Sequence, residues 1–319
     1  MARMHDTSMK PADIRPGSLD AWLVAVRPRS LLVTVSPVLA ATALVWLRSG
    51  HFAVGILVLA LATAVLVQAI TNLQNDAGYT ARGAERQARR VGLARATANG
   101  WLTVAQVRAV IAGCVVATVA LGAPVVAERG WPMVAIGGSS LIAALAYMGG
   151  PWPIAYTPLG EVVVFLFFGL VATLGTDFAI VGVEPPAATW IVATSLGMLA
   201  AAALLVNNCR DIAHDRAVGR RTLPVVAGAR LAHRIYAALL VVPFALLAPA
   251  AWLARAPTLL LPLLLVPAAG RLGRDLGHCL ADPDAGLAFN GVLFRTFQIE
   301  LQFTALLVAG AVAGRLLGP

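Results

Sequence analysis

Apolar runs long enough to cross a lipid bilayer constrain this chain more than any other feature. The run from Ala187 to Val206 is one of several that approach the ~20 predominantly apolar residues a transmembrane helix needs. Hydrophobic residues make up 59% of the 319 residues and charged residues only 12%, whereas about 25% of a soluble domain is charged. Because the bilayer offers the backbone no hydrogen-bond partners, such runs form helices. We therefore predict an all-α protein, a polytopic bundle of membrane helices.

About nine transmembrane helices can be placed along the sequence. The fourth is short and the eighth is rich in proline, which membrane helices tolerate where neighbouring helices cover the unpaired backbone groups. Residues 1–29 are expected to form a cytoplasmic N-terminal tail and an interfacial segment anchored by Trp22, and residues 30–319 the membrane domain. The predicted spans cover residues 30–48, 52–73, 103–123, 131–148, 159–181, 187–208, 233–253, 256–272 and 298–317.

Basic residues lie mainly in the N-terminal segment and in the loops after the second, sixth and eighth predicted spans. Because lysine and arginine concentrate in cytoplasmic loops, this asymmetry predicts a multi-pass protein of the inner (cytoplasmic) membrane with a cytoplasmic N-terminus. The net charge of +9 could also indicate a nucleic-acid partner. Clustering between spans is better explained by orientation and anionic ligands. We therefore expect contact with membrane lipid and no nucleic-acid partner.

Two polar motifs stand at the ends of apolar runs. Asn72 and Asp76 are one helical turn apart at the end of the second predicted span, and Asn207, Asp211 and Asp215 follow at intervals of four at the end of the sixth. On a continuous helix, residues four and eight positions apart share a face. Both motifs lie on the same predicted membrane face and lead into arginine-rich loops. Such duplication often places a site between two halves of a membrane protein.

Carboxylates interleaved with arginines indicate a site for a metal-bound polyphosphate. Mg²⁺ takes carboxylate oxygens together with substrate phosphates, and it stabilises the charge that develops on a leaving diphosphate. A single such motif is more often a helix cap or a solvated helix end, and loop arginines are often only topology signals. The presence of two copies favours a site. The three cysteines are isolated and support neither a disulfide framework nor a zinc site.

The motifs resemble those of the UbiA superfamily of intramembrane prenyltransferases, and the resemblance runs over nearly the whole chain. The segments NLQNDAGYTARG at 72–83 and NNCRDIAHDRAVGRRTL at 207–223 are similar to the family's two aspartate motifs. The segment YMGGPWPIAYTPLGEVVVFLFFG at 147–169 resembles the branch that prenylates 1,4-dihydroxy-2-naphthoate in menaquinone synthesis. RPRSLL at 27–32 and GLARATANGWLT at 92–103 are further similarities.

This resemblance implies a helical bundle around a central cavity and a Mg²⁺-dependent reaction. A polyprenyl group would pass from polyprenyl diphosphate to the aromatic acceptor, 1,4-dihydroxy-2-naphthoate, whose carboxylate would leave as CO₂. By position, the resemblance implies catalytic and metal-binding roles for Asp76, Asp211 and Asp215. The substrate-binding positions that it implies are Asn72, Tyr79, Arg82, Arg95, Tyr147, Asn207, Arg210 and Arg220.

Two positions depart from the family pattern. Tyr79 stands where a second aspartate is usual, and the nearest acid, Glu85, cannot be assigned to the same helix face. Either one carboxylate suffices in this motif, or Tyr79 donates a hydrogen bond to the diphosphate, or the metal site is weakened. Arg220 replaces the usual lysine, which keeps the charge and changes the hydrogen-bonding geometry.

Three alternative functions fit part of the sequence. The protein could prenylate another aromatic acceptor, such as 4-hydroxybenzoate. Duplicated polar helix ends also suit a membrane transporter. Tyr79 leaves open a catalytically silent binding protein.

Overall fold

The computed structural model describes residues 14–84, 94–282 and 284–318, and every element in these ranges is helical. The prediction of an all-α bundle is confirmed. The helices are α1 (Leu19–Val26), α2 (Pro28–Ser49), α3 (Val54–Ala81), α4 (Val104–Arg129), α5 (Trp131–Ala146), α6 (Gly160–Val181), α7 (Ala187–Arg210), α8 (Ile212–Ala217), α9 (Leu223–Leu253), α10 (Val266–Ala281) and α11 (Ala288–Leu317).

Seven helices in the described part of the chain are long and apolar enough to cross a membrane, namely α2, α3, α4, α6, α7, α9 and α11. The apolar helix α5 has only 16 residues. The eighth predicted span is divided between a 3₁₀ segment, Pro257–Leu265, and the start of α10. Pro257 and Pro262 have no N–H for an α-helical ladder, and α10 carries arginines. The count of about nine spans is therefore approximate.

Local sequence signals fix several helix ends. The hydroxyl of Thr103 accepts a hydrogen bond from the backbone N–H of Gln106, and the Gln106 Oε1 accepts one from the backbone N–H of Thr103, so a capping box starts α4. At the other end of a span, Gly182 stops α6 with φ of 79°, a left-handed conformation that glycine adopts without steric cost. A helix break comes at Asp211, between α7 and α8.

Helix α7 forms the centre of the bundle, with 72% of its apolar window buried, a larger share than in the other six spans. It packs against α6, α9 and α11. At the crossing with α6, a Cβ on Gly169 would lie 2.5 Å from the Cα of Gly197, so only glycine permits this approach. This crossing sets the position of the end of α7 that carries the second motif.

Two large apolar clusters make up most of the core, and a small third cluster surrounds Tyr79. One joins α1, α3, α4 and α5 around Ile70, Leu73 and Val107, and the other joins α2, α7, α9, α10 and α11 around Leu199 and Phe303. Helices α3 and α7 thus belong to different clusters. A cavity of about 1040 Å³ takes wall residues from both clusters.

Polar contacts distinguish the two ends of the bundle. At one end, Arg48 forms a two-point ion pair with Asp177, at 2.7 and 2.6 Å, and Arg129 donates to the backbone oxygens of Ala179 and Ile180. Both motifs lie at the other end, where α3 and α7 finish. The structure thus brings the ends of the two motif helices to the same side of the bundle.

Candidate functional site

The first motif organises the segments around the end of α3. The carboxylate of Asp76 is fully buried and accepts hydrogen bonds from the backbone N–H groups of Ala96 and Thr97, both at 2.9 Å, and from the Thr97 hydroxyl at 2.6 Å. The amide of Asn72 donates to the Val26 carbonyl at 2.7 Å and to the Ser30 hydroxyl at 2.8 Å. Asp76 therefore holds the loop that follows the first motif, and Asn72 holds the start of α2.

Arg95, in that loop, is stacked on Tyr79. Its guanidinium carbon lies 3.3 Å from the centre of the buried tyrosine ring, and its Nη1 donates to the backbone oxygen of Asn75 at 2.8 Å. A cation over an aromatic face is attracted by the ring quadrupole. Tyr79 thus holds a basic group at the end of α3.

In the second motif, one arginine gathers three oxygen-bearing side chains. Arg210 binds both carboxylate oxygens of Asp211, at 2.8 and 2.9 Å, and donates to the amide oxygens of Asn207 at 2.8 Å and Asn290 at 2.7 Å. The side chains of Arg210 and Asp211 are each only 2% exposed. The expectation that Asn207, Asp211 and Asp215 share one continuous helix face is wrong, because the helix breaks at Asp211. Neighbouring side chains on a helix do not face each other, so this break permits the pairing of Arg210 with Asp211.

The next arginine in the motif joins the two halves of the site. Arg220 binds Asp215 at 2.5 Å and donates to the Ala155 carbonyl at 2.9 Å. Its guanidinium carbon also lies 5.1 Å from the centre of the Tyr79 ring, on which His214 stacks at 6.5 Å between ring centres. Tyr79 from the first motif therefore contacts two residues of the second. The ends of α3 and α7 meet through this ring.

The predicted residues Tyr147 and Arg82 lie on either side of the loop after α5. Tyr147 follows α5 and contributes to the wall of the central cavity. Arg82 is exposed, binds the carbonyl of Gly150 and faces the Tyr156 ring at 5.5 Å. It lines a separate cavity of about 240 Å³. Burial raises the pKa of the Tyr156 phenol, so this group stays neutral near pH 7 beside two arginines.

The central cavity has a polar end and a long apolar part. Its apolar walls come from α3, α4, α5 and α6, with residues such as Val119, Ile136 and Phe168. This division suits a ligand with an anionic head and an apolar tail. The predicted residues in the wall are Asn72, Tyr79, Arg95, Tyr147, Asn207 and Arg220. The predicted residues outside the wall are Asp76, Asp211, Asp215, Arg82 and Arg210.

Several polar residues at the cavity wall were not predicted from the sequence. Arg27, Asn75 and Asn208 line the cavity, and Glu161 is bonded to Asn208. Arg27 is one of two residues other than glycine with positive φ in the described ranges, at 56°. Asn75 precedes Asp76 in the first motif and Asn208 follows Asn207 in the second, and this adjacency to predicted site residues could have identified them. Glu85 lies outside the described residues, and its position remains untested.

The oxygen donors at the site fit a hard cation only together with a ligand. Within the described ranges, no group of three or more His, Cys, Asp and Glu side chains could by itself hold a metal ion. Mg²⁺ commonly binds through one or two carboxylates and completes its shell with water and substrate phosphates. Asp211 and Asp215 supply such oxygens next to the cavity wall. Each is paired with an arginine, Asp211 with Arg210 and Asp215 with Arg220.

Comparison with known proteins identifies the family. The model of the UbiA prenyltransferase family matches residues 34–279. The 1,4-dihydroxy-2-naphthoate octaprenyltransferase of Escherichia coli (strain K12) is 35% identical over 226 residues, which cover 69% of this chain and 72% of that protein. The protein of the same name from Mycobacterium tuberculosis is 32% identical over 315 residues, which cover 93% of this chain and 98% of that protein.

A solved structure shows the same fold. A UbiA homologue from Archaeoglobus fulgidus bound to GPP and Mg²⁺ superimposes with a TM-score of 0.64 at 17% identity, and the match covers 92% of this chain and 99% of that one. A second structure of that homologue, bound to DMAPP and Mg²⁺, gives a TM-score of 0.62 at 16% identity, covering 93% and 100%. The family model and the sequence relatives span most of the chain, and the fold agrees with them. This chain belongs to the UbiA prenyltransferase family.

Proposed function

We propose that this protein transfers a polyprenyl group from polyprenyl diphosphate to 1,4-dihydroxy-2-naphthoate in a Mg²⁺-dependent reaction. The observation that carries this proposal is the meeting of Arg95 and Arg220 on the Tyr79 ring, at the polar end of a cavity whose other walls are apolar. The relatives named as 1,4-dihydroxy-2-naphthoate octaprenyltransferases support the choice of acceptor.

The arginines give the polar end of the cavity its affinity for a diphosphate. Arg27, Arg95 and Arg220 all contribute to the wall, and a guanidinium can bind phosphate oxygens through two parallel hydrogen bonds. Positive groups held in place before the reaction stabilise the charge that develops on a leaving diphosphate without reorganising. These three residues would therefore bind the donor's head and hold the leaving group.

The carboxylates become available when the diphosphate binds. Asp211 is held by Arg210, and Asp215 by Arg220. As phosphate oxygens engage Arg220, Asp215 would be freed to hold Mg²⁺, together with Asp211 and with Asp76 of the first motif. Bound Mg²⁺ would neutralise phosphate oxygens and stabilise the departing diphosphate.

The apolar part of the cavity suits the polyprenyl chain. Phe167, Phe168 and Val119 line it, and the helices around it lie within the membrane-spanning part of the bundle. An apolar wall also keeps water from the allylic cation that forms as the carbon–oxygen bond breaks. The electron-rich acceptor ring then attacks that cation in place of water.

The protein is a multi-pass membrane protein of the UbiA family. We propose further that it resides in the inner (cytoplasmic) membrane with its N-terminus in the cytoplasm. This orientation is supported by the positive-inside distribution of arginine. Both motifs would then open towards the cytoplasm.

A reconstituted turnover assay tests the proposed function. Purified protein in lipid nanodiscs is mixed with Mg²⁺, a defined polyprenyl diphosphate and 1,4-dihydroxy-2-naphthoate, and products are identified by mass spectrometry. We expect the decarboxylated, prenylated naphthalenediol, with one CO₂ and one diphosphate released per turnover, and no product when EDTA is present.

Parallel reactions separate the rival functions. Faster turnover with 4-hydroxybenzoate than with the naphthoate would show that the acceptor is not the naphthoate. Substrate flux into proteoliposomes without diphosphate release would indicate a transporter. Binding of the donor without any release of diphosphate would indicate a silent binding protein.

A further inference from the structure

A buried carboxylate and a buried amide form a pair beside the polar end of the cavity. Glu161 lies in the first turn of α6 and Asn208 near the end of α7, and they are 5% and 3% exposed. The amide Nδ2 of Asn208 donates to Oε1 of Glu161 at 2.9 Å. This bond fixes the orientation of the amide, because its donor side faces the carboxylate.

The pair retains two acceptor oxygens that have no hydrogen-bond partner among the described residues. These are Oδ1 of Asn208 and Oε2 of Glu161. Buried polar atoms are bonded in the great majority of cases, and an unpaired one calls for an explanation such as a ligand or water. Asn208 also belongs to the cavity wall, so a ligand in the cavity can explain its unpaired oxygen.

The chemistry of the pair suits the acceptor rather than the diphosphate. Asn208, Tyr147 and Arg220 all belong to the wall of the central cavity. A carboxylate and an amide oxygen repel phosphate oxygens and attract O–H donors. The ligand group that satisfies this pair is therefore a hydroxyl donor, placed close to the arginines that hold the diphosphate.

We propose that Glu161 and Asn208 form the subsite that recognises a ring hydroxyl of the aromatic acceptor. This inference rests on the proposed function and adds the residues that select the acceptor. Asn208 accepts the hydrogen bond of the hydroxyl through Oδ1. Glu161 is a positioning residue that holds the Asn208 amide by accepting from its Nδ2, which leaves Oδ1 available to accept from the hydroxyl.

Equilibrium binding of three naphthoates tests this assignment. Full-length protein in nanodiscs is titrated anaerobically, by calorimetry, with 1,4-dihydroxy-2-naphthoate, 1-hydroxy-2-naphthoate and 2-naphthoate. A site with a buried acceptor discriminates strongly against an analogue that lacks the partner hydroxyl. We expect the wild type to bind the dihydroxy compound at least tenfold more tightly than 2-naphthoate. The monohydroxy compound shows which hydroxyl the pair binds.

The variants separate recognition from folding. We expect Asn208→Leu to bind the three naphthoates within about threefold of each other, and Glu161→Gln to give intermediate discrimination. Ser195→Ala, on the same helix but outside the cavity wall, should keep the wild-type ratio. Mg²⁺-dependent binding of a prenyl thiodiphosphate, a donor analogue that reacts slowly, is measured in every variant to confirm an intact site.

The possible failures differ. If Asn208→Leu and Glu161→Gln bind the donor analogue and still discriminate as the wild type does, the hydroxyl subsite is overturned and the proposed function stands. If both variants lose the donor analogue as well, the pair supports the whole site and selective hydroxyl recognition is overturned. If the wild type binds the donor analogue and none of the naphthoates, the proposed acceptor itself is wrong.

Discussion

The ion pair between Asp215 and Arg220 provides a quantitative test of how the second motif is held. The two side chains are 0% and 5% exposed, and their charged atoms lie 2.5 Å apart. Removing one partner of such a pair leaves an uncompensated buried charge, at a cost of about 3–5 kcal/mol. We therefore expect Arg220→Gln and Asp215→Asn each to lower the free energy of unfolding by about that amount.

The variant with both substitutions separates the cost of an unpaired charge from the cost of the other hydrogen bonds that are lost. With both charges removed, neither position leaves a buried charge without its counter-charge, so we expect the double variant to recover at least about 2 kcal/mol relative to the sum of the single losses. Arg220 also donates to the Ala155 carbonyl. Because glutamine is too short to replace the whole guanidinium, recovery should be incomplete.

Unfolding in detergent, followed by tryptophan fluorescence, measures these differences. The exposed pair of Arg295 and Asp275, at 2.8 Å with side chains 51% and 34% exposed, is the matched control. Its removal by Arg295→Gln should cost no more than about 1 kcal/mol. The reasoning is refuted if the Asp215 and Arg220 variants behave like this control, or if the double variant is as unstable as the sum of the single variants.

Three further predictions concern the first motif and the crossing of α6 with α7. Asp76→Asn places an amide donor against backbone N–H groups, so we expect the free energy of unfolding, measured by thermal unfolding, to fall by about 1–3 kcal/mol. A variant as stable as the wild type would show that the carboxylate does not hold the loop. Tyr79→Leu should weaken donor-analogue binding about 2- to 30-fold by removing the face under Arg95, while Tyr79→Phe should bind normally. If Tyr79→Leu and Tyr79→Phe bind the donor analogue equally well, the aromatic ring does not contribute to donor binding. Gly169→Ala should lower the melting temperature, because the added Cβ meets the backbone of α7. Gly113→Ala is the control and should leave the melting temperature unchanged, because the added Cβ enters open space. Equal melting temperatures for the two variants would contradict the tight crossing.

The membrane helices could be predicted from the sequence, because the length and apolar composition of a run decide whether it can cross a bilayer as a helix. The runs that became α3 and α7 were recognised from their apolar residues, and their polar ends were recognised from the residues that interrupt the runs. The limits of this reasoning appear at Pro257 and Pro262. There an apolar run folds into a 3₁₀ segment, which composition alone does not distinguish from a spanning helix.

Partner choice within the site could not be read from spacing. Intervals of four predicted one helix face for Asn207 and Asp211, but the pairing of Arg210 with its own neighbour depends on a backbone break at Asp211. The contact of Tyr79 with Arg220 joins distant parts of the chain through tertiary packing. Glu161 is another case, because its burial against Asn208 follows from the crossing of α6 and α7.

The central claim is that carboxylates from two separate motifs hold one magnesium–diphosphate complex at the polar end of the cavity. The most direct measurement is a crystal structure with a prenyl thiodiphosphate and Mn²⁺ in place of Mg²⁺, in which anomalous scattering locates the metal. We expect metal bound to the diphosphate and contacted by Asp76 from the first motif and by Asp211 or Asp215 from the second. Metal bound by only one motif, or a diphosphate outside the central cavity, would contradict the claim.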